Sequence, residues 1–246
     1  MTRRNEPILN LPGVITGMIA VFVLVHAIRT LMLTPRQDVE LLLLFAFIPA
    51  RYAPAPGLDM VFPGGLPADL WTFVSYGFIH GDLTHLGFNV LWFLPFGSAV
   101  ARRFGTARFL AFFAATAATG AAMHLLTHDH EFVPMIGASA AISGCMAAAI
   151  RFVFELGGPL SVFREADDTA YLVPAAPLST VLQDGRVIAF LVVWFGVNIL
   201  FGLGSVGIAG IDQPVAWQAH IGGFLGGLLL FPLFDPVPGA GALDTE

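Results

Sequence analysis

Six stretches of this chain, at about 12–33, 84–100, 107–127, 137–155, 187–208 and 217–234, are long runs of apolar residues with hardly a charge among them. A helix needs roughly 20 apolar residues to cross the hydrocarbon core of a bilayer, and runs of that length inside lipid must satisfy their own backbone polar groups, which a helix does. The 84–100 run, at about 17 residues, lies nearest the lower bound. The expected fold is an all-α polytopic membrane protein, a six-helix transmembrane bundle. Residues 1–11 form a cytoplasmic N-terminal segment, 12–234 the membrane domain, and 235–246 a flexible C-terminal tail rich in Pro and Gly.

Composition agrees. Of 246 residues, 57% are hydrophobic and 11% charged, outside the range of ordinary soluble domains. The chain has no Lys, so its 11 fixed positive charges are all Arg, set against 17 acidic groups and never in a run longer than two. That pattern speaks against a nucleic-acid partner. Cys145 is alone, which excludes an intrachain disulfide and leaves the redox compartment unread. The expected partners are the lipid bilayer and other membrane proteins; nothing in the sequence sets an oligomeric state.

The arginines orient the chain. With the N-terminus in the cytoplasm, six spans bring the C-terminus back, and Arg3, Arg4, Arg102, Arg103, Arg108, Arg151, Arg164 and Arg186 fall inside, against Arg36 and Arg51 outside and Arg29 near the outer end of the first span. This follows the positive-inside bias, and the inverted topology would break it. Spans two, four and six then all enter from outside, carrying His85 and Asn89, Ser139, and His220 in their opening turns. One polar layer beneath the outer surface results, and polar residues in spans face a bundle interior or a wet cavity.

Between the first two spans, Val39–Ile48 is too short to cross, and the prolines and glycines that follow break regular structure. An interfacial or partly re-entrant element is expected there, with an ordinary surface helix and loop as the competing reading. Trp71, Phe73, Tyr76 and Phe78 are expected to form an aromatic belt at the outer interface. The 156–186 connection reads as a solvated loop with a short helix.

His85 and Asn89 are four apart and share a helix face. Both can donate hydrogen bonds to an oxyanion on a neighbouring helix, or serve as polar glue between helices. Ser139 sits among Gly137, Ala138, Ala140, Ala141 and Gly144, where small neighbours leave room for a substrate carbonyl and a helix start offers free N–H groups. The same composition suits plain helix packing or capping. His220 precedes Gly222, Gly223, Gly226 and Gly227, two overlapping small-residue pairs that let this span approach the fourth. A lone membrane His is also a structural donor, proton relay or metal ligand. No acidic residue in a span is placed to orient His220, and Asp212 lies in a loop, so a Ser-His dyad is expected rather than a triad. No His-Glu-x-x-His motif is present, and neither metal nor cofactor is expected.

Taken together, His80-Gly81-Asp82-Leu83-Thr84-His85-Leu86-Gly87-Phe88-Asn89, Gly137-Ala138-Ser139-Ala140 and Ala219-His220-Ile221-Gly222-Gly223-Phe224-Leu225-Gly226-Gly227 resemble the rhomboid family of intramembrane serine proteases, over about residues 12–234. The resemblance implies Ser139 as nucleophile, His220 as base, and His85 and Asn89 with the Ser139 N–H as oxyanion groups, with His80 near a water-accessible cavity. It implies a serine endopeptidase acting on membrane-protein substrates near the outer end of a transmembrane segment, in a prokaryotic inner membrane. Three positions depart from the family pattern: Ala140 where Gly is common, Ser143 where an aromatic packs on the histidine, and Thr72 in place of Arg after Trp71. They keep open a noncatalytic rhomboid-like protein that binds client transmembrane helices. Candidate gates are the first loop, the fifth span and the 206–216 loop.

Overall fold

The structure, a computed structural model, describes residues 10–52, 61–163, 165, 167–202 and 216–238. It is all-α and polytopic. Its helices are α1 (Gly13–Leu31), α2 (Pro35–Phe45), α3 (Gly65–Ser75), α4 (Leu83–Phe104), α5 (Thr106–Thr127), α6 (Ser139–Ala149), α7 (Leu178–Val181), α8 (Gly185–Gly202) and α9 (Trp217–Phe234). Among the described residues no sheet forms; one isolated antiparallel bridge joins Phe47 and Met135.

Among the described residues, four helices are long and apolar enough to cross a bilayer: α1, α4, α5 and α9. This corrects the expectation of six. The 137–155 stretch yields only the 11 residues of α6, and the apolar part of α8, Gly185–Leu200, is shorter than a full span. The reason for α6 lies in its surroundings. Every residue from Ala140 to Ala149 is buried by other helices, so α6 meets protein instead of lipid and is free to end early; backbone that is irregular at depth is tolerated where protein covers it. The chain beyond it runs through turns, with Gly157 in the left-handed region at φ +84°.

Helices in lipid gain little from apolar burial and associate through close packing of small residues. The glycines of α9 divide into two rows. A Cβ on Gly223 or Gly227 would lie 2.0 Å from the Ala140 carbonyl oxygen or 2.4 Å from that of Gly144, both on α6. A Cβ on Gly222 or Gly226 would instead meet Met123 or Thr119 of α5 at 2.4 and 2.1 Å. The overlapping pairs thus serve two partners, where one was expected. α1 presents Ile15, Met18, Phe22, His26 and Arg29, at three- and four-residue steps, to the bundle. Large apolar side chains such as Val192, Leu229 and Leu233 point outward, as a bilayer solvent requires.

The segment between α1 and α4 combines the two readings made of it. α2 starts in a capping box, Thr34 with Gln37, and buries none of its residues. The chain then dives inward: Ala46, Phe47 and Ile48 are fully buried, and Phe47 packs against Tyr52, Phe73, Tyr76 and His124. The aromatic belt is corrected accordingly. Tyr76 is buried and donates to the Ala117 carbonyl (2.9 Å), Phe73 and Phe78 pack on the core, and only Trp71 stays exposed.

At the opposite end from the α6 N-terminus, the 156–186 connection is tied down rather than freely solvated. Arg103 is fully buried, paired through two bonds of 2.9 Å with Asp235, and donates to the Tyr171 and Val173 carbonyls (2.8 Å each). Arg151 Nε donates to the Ala176 carbonyl (2.8 Å). Asp235, expected to open a flexible tail, is therefore anchored. Residues 239–246, 1–9 and the 206–215 part of the expected gate loop, Asp212 included, lie outside the described residues.

Candidate active site

Ser139 is the first residue of α6 because of the two residues before it. Gly137 sits at φ +118°, a backbone that side chains rarely adopt, and turns the chain from the Phe47–Met135 bridge into the helix while its N–H donates to the Tyr76 carbonyl (3.0 Å). First-turn N–H groups have no intrahelical acceptor, so the Ser139 amide hydrogen is free of the ladder. His220 lies in the first turn of α9, three residues before Gly223. Because Gly223 brings the two helices into backbone contact beside Ala140, the side chains one step away meet: His220 Nε2 lies 2.7 Å from Ser139 Oγ, both residues half-buried.

The fourth helix supplies the other wall. Asp82 caps α4 by accepting from the His85 N–H (2.8 Å), and His85 Nδ1 accepts from the Gly81 N–H (3.3 Å). A ring nitrogen that accepts carries no proton, so His85 is neutral with its hydrogen on Nε2. That Nε2 faces Gly137 so closely that a Cβ there would lie 2.6 Å from it, while the same Cβ would lie 3.7 Å from Ser139 Oγ. The missing side chain of Gly137 thus leaves a small space flanked by a ring N–H and a hydroxyl. Asn89 is buried one turn on; its Nδ2 donates to the His85 carbonyl (2.9 Å), which uses one of its two hydrogens, and its Oδ1 has no protein partner.

His80 is wholly buried, its ring tilted against Phe22 (centroids 5.2 Å apart) and edge-on to His85 (5.3 Å), and neither ring nitrogen has a protein partner. Its carbonyl accepts from Arg29 Nη1 (2.9 Å) and pairs with His26 Nδ1 (3.2 Å), while Arg29 is held by Asp38 through bonds of 2.6 and 3.0 Å. Burial, reinforced by His85, His26 and Arg29, lowers the His80 imidazole to about 3 and keeps it uncharged.

The three departures from the pattern each find a local answer. The Ala140 methyl lies against Gly120 of α5, where a Cβ would be 2.6 Å away, so it is housed between helices. Ser143 returns its hydroxyl to the Ser139 carbonyl (2.8 Å), and no ring stacks on His220 among the described residues. Thr72 is buried and hydrogen-bonded to the Tyr52 hydroxyl, while Arg51 braces the same loop through Asp69 (3.0 Å) and the Pro63 carbonyl (3.3 Å).

What sequence reading missed is Asn198 on α8, whose Oδ1 lies 2.5 Å from His220 Nδ1. The signal was present: an amide inside an apolar run is expensive without partners.

The family model for the rhomboid domain matches residues 67–235, more than half of the chain, with His80, His85, Asn89, Ser139, Asn198 and His220 all inside it. The chain belongs to the rhomboid family. One relative within the rhomboids is the Rhomboid protease GluP of Bacillus subtilis, 34% identical over 80 residues, which is 32% of this chain and 15% of that protein's length. The match thus spans a small part of the relative, while the rhomboid domain itself covers the three motif-bearing helices, α4, α6 and α9, with α5 and α8 between them.

Proposed function

We propose that this rhomboid is an intramembrane serine endopeptidase that cuts membrane-protein substrates near the outer end of a transmembrane segment. The observation that carries the proposal is the 2.7 Å approach of His220 Nε2 to Ser139 Oγ, within the roughly 2.6 to 3.2 Å that proton transfer needs. Ser139 Oγ attacks the scissile carbonyl as its proton passes to His220 Nε2. The oxyanion that forms is met by the His85 Nε2–H, the second Asn89 amide hydrogen and the Ser139 N–H, each a donor fixed before the charge develops. Imidazolium His220 then gives its proton to the leaving amine, and water, activated by the same ring, hydrolyses the acyl-enzyme and restores the hydroxyl.

An intact helix hides its peptide bonds, so the substrate class is a membrane segment with helix-breaking residues near its outer end. The arginine asymmetry supports the orientation this needs, with both termini in the cytoplasm of a prokaryotic inner membrane and the site beneath the external face.

The test compares wild type with Ser139→Ala in detergent and in lipid, using a membrane-anchored reporter and a fluorophosphonate probe. Wild type alone is expected to cleave the reporter and to label at Ser139, and Cys145→Ala should retain both reactions. A folded wild type that neither cleaves a panel of reporters nor labels would replace the protease reading with that of a binder of client helices.

A further inference from the structure

An amide in an apolar helix must find partners for both its ends. Asn198 is buried and does so: its Nδ2 donates to the Trp194 carbonyl (2.8 Å), and its Oδ1 meets His220 Nδ1 (2.5 Å). The Trp194 oxygen can only accept, so the NH2 group must be the end that faces it. The Oδ1 that remains can also only accept, so the hydrogen between Asn198 and His220 belongs to Nδ1. A neutral imidazole has one N–H, which leaves Nε2 bare and turned to Ser139 Oγ. Direction is thus imposed along the whole row, from a backbone carbonyl on α8 to the hydroxyl on α6.

We infer that Asn198 is a positioning residue that holds His220 in the Nδ1–H form, the only neutral form able to take the Ser139 proton. The reaction it assists is the one proposed above, so its kinetic consequences rest on that reading, while the tautomer itself does not. When His220 accepts the proton, both ring nitrogens carry hydrogen, Nδ1–H keeps its bond to the Asn198 oxygen, and no proton moves on to the amide. The imidazolium is therefore met by a dipole and not by a carboxylate, which leaves the dyad with a neutral third member.

The test has two arms. Nitrogen-15 NMR of the protein labelled in its imidazoles, with His220→Gln to assign the His220 signals, is expected to show a protonated Nδ1 and a bare Nε2 in wild type above the pKa of the ring. A wild-type His220 with its hydrogen on Nε2 would overturn the inference, whatever the activity. In the second arm, the pH dependence of fluorophosphonate labelling is followed. Asn198→Ala is expected to lower the plateau rate about tenfold, the worth of one neutral hydrogen bond. Asn198→Asp should recover part of that rate and move the acid limb to higher pH, because a carboxylate favours the imidazolium. A limb that stays in place in both variants, with only the folded fraction reduced, would mark Asn198 as structural and sink the inference. A wild type with the expected tautomer that never labels would remove the protease reading and leave the positioning role standing.

Discussion

Gly223 of α9 lies so near Ala140 of α6 that a Cβ placed on it would be 2.0 Å from the Ala140 carbonyl oxygen. Ala140 adjoins Ser139, and Gly223 shares a helix face with His220, so this backbone contact sets the separation of hydroxyl and imidazole. Gly223→Ala forces the helices apart, because the obstructing atom is backbone and cannot rotate away. Overpacking of this kind costs about 1–3 kcal/mol or more, and a shift of about 1 Å at a reacting pair can lower the rate about a hundredfold. The expected outcome is a lower thermal midpoint together with a comparable loss of Ser139 labelling. Gly17→Ala on α1, where a Cβ meets nothing within 4 Å, is the control and should be neutral or slightly stabilising. Labelling of Gly223→Ala at the wild-type rate would show that the contact does not govern the dyad.

How far the sequence could be read follows from what kind of neighbour each residue has. Helices that face lipid on one side, α1, α4, α5 and α9, declare themselves by length and hydropathy, and their expected ends fall within a few residues of the observed ones. The motif positions Ser139 and His220 could be located for the same reason: each is a polar residue set at the head of a run of small or apolar ones. α6 could not be measured this way, since Ala and Gly facing protein look the same in sequence as Ala and Gly facing lipid, and only its full enclosure explains its 11 residues. Arg103 read as a charge flanking a span, yet its partner Asp235 is 132 residues distant, and no local pattern joins them. Asn198 carried a readable cost but no readable partner, because its ligand His220 sits on another helix at a distance of 22 residues along the chain.

His80 makes the folded state sensitive to acid. Its lowered value of about 3 comes first from burial, and the unfolded chain would bind a proton below about 6.5. Between those values the unfolded state holds more protons than the folded one, so stability falls as pH falls, by about 1.4 kcal/mol per pH unit from this group alone, and is unaffected by it above about 6.5. Thermal midpoints measured from pH 8 to pH 5 should decline in wild type on the acid side and decline less steeply in His80→Gln. Parallel curves for the two proteins would contradict the assignment.

Arg103 and Asp235 form the buried pair at the other end of the bundle. The guanidinium is completely enclosed, lies 4.6 Å from the Phe152 ring centroid, and also holds the Tyr171 and Val173 carbonyls, so it cannot reach water when its carboxylate is removed. Removing one partner of such a pair costs about 3–5 kcal/mol, because a buried charge is left uncompensated. Asp235→Asn should therefore lower the thermal midpoint sharply. Asp235 follows His220 by 15 residues, about 22 Å along a helix, so Ser139 labelling at low temperature should persist in the protein that remains folded. Arg103→Met combined with Asp235→Leu removes both charges and should recover much of the loss. If Arg103 acted only as a positive flank of a span, Asp235→Asn would instead be neutral, since an acidic neighbour adds nothing to that role.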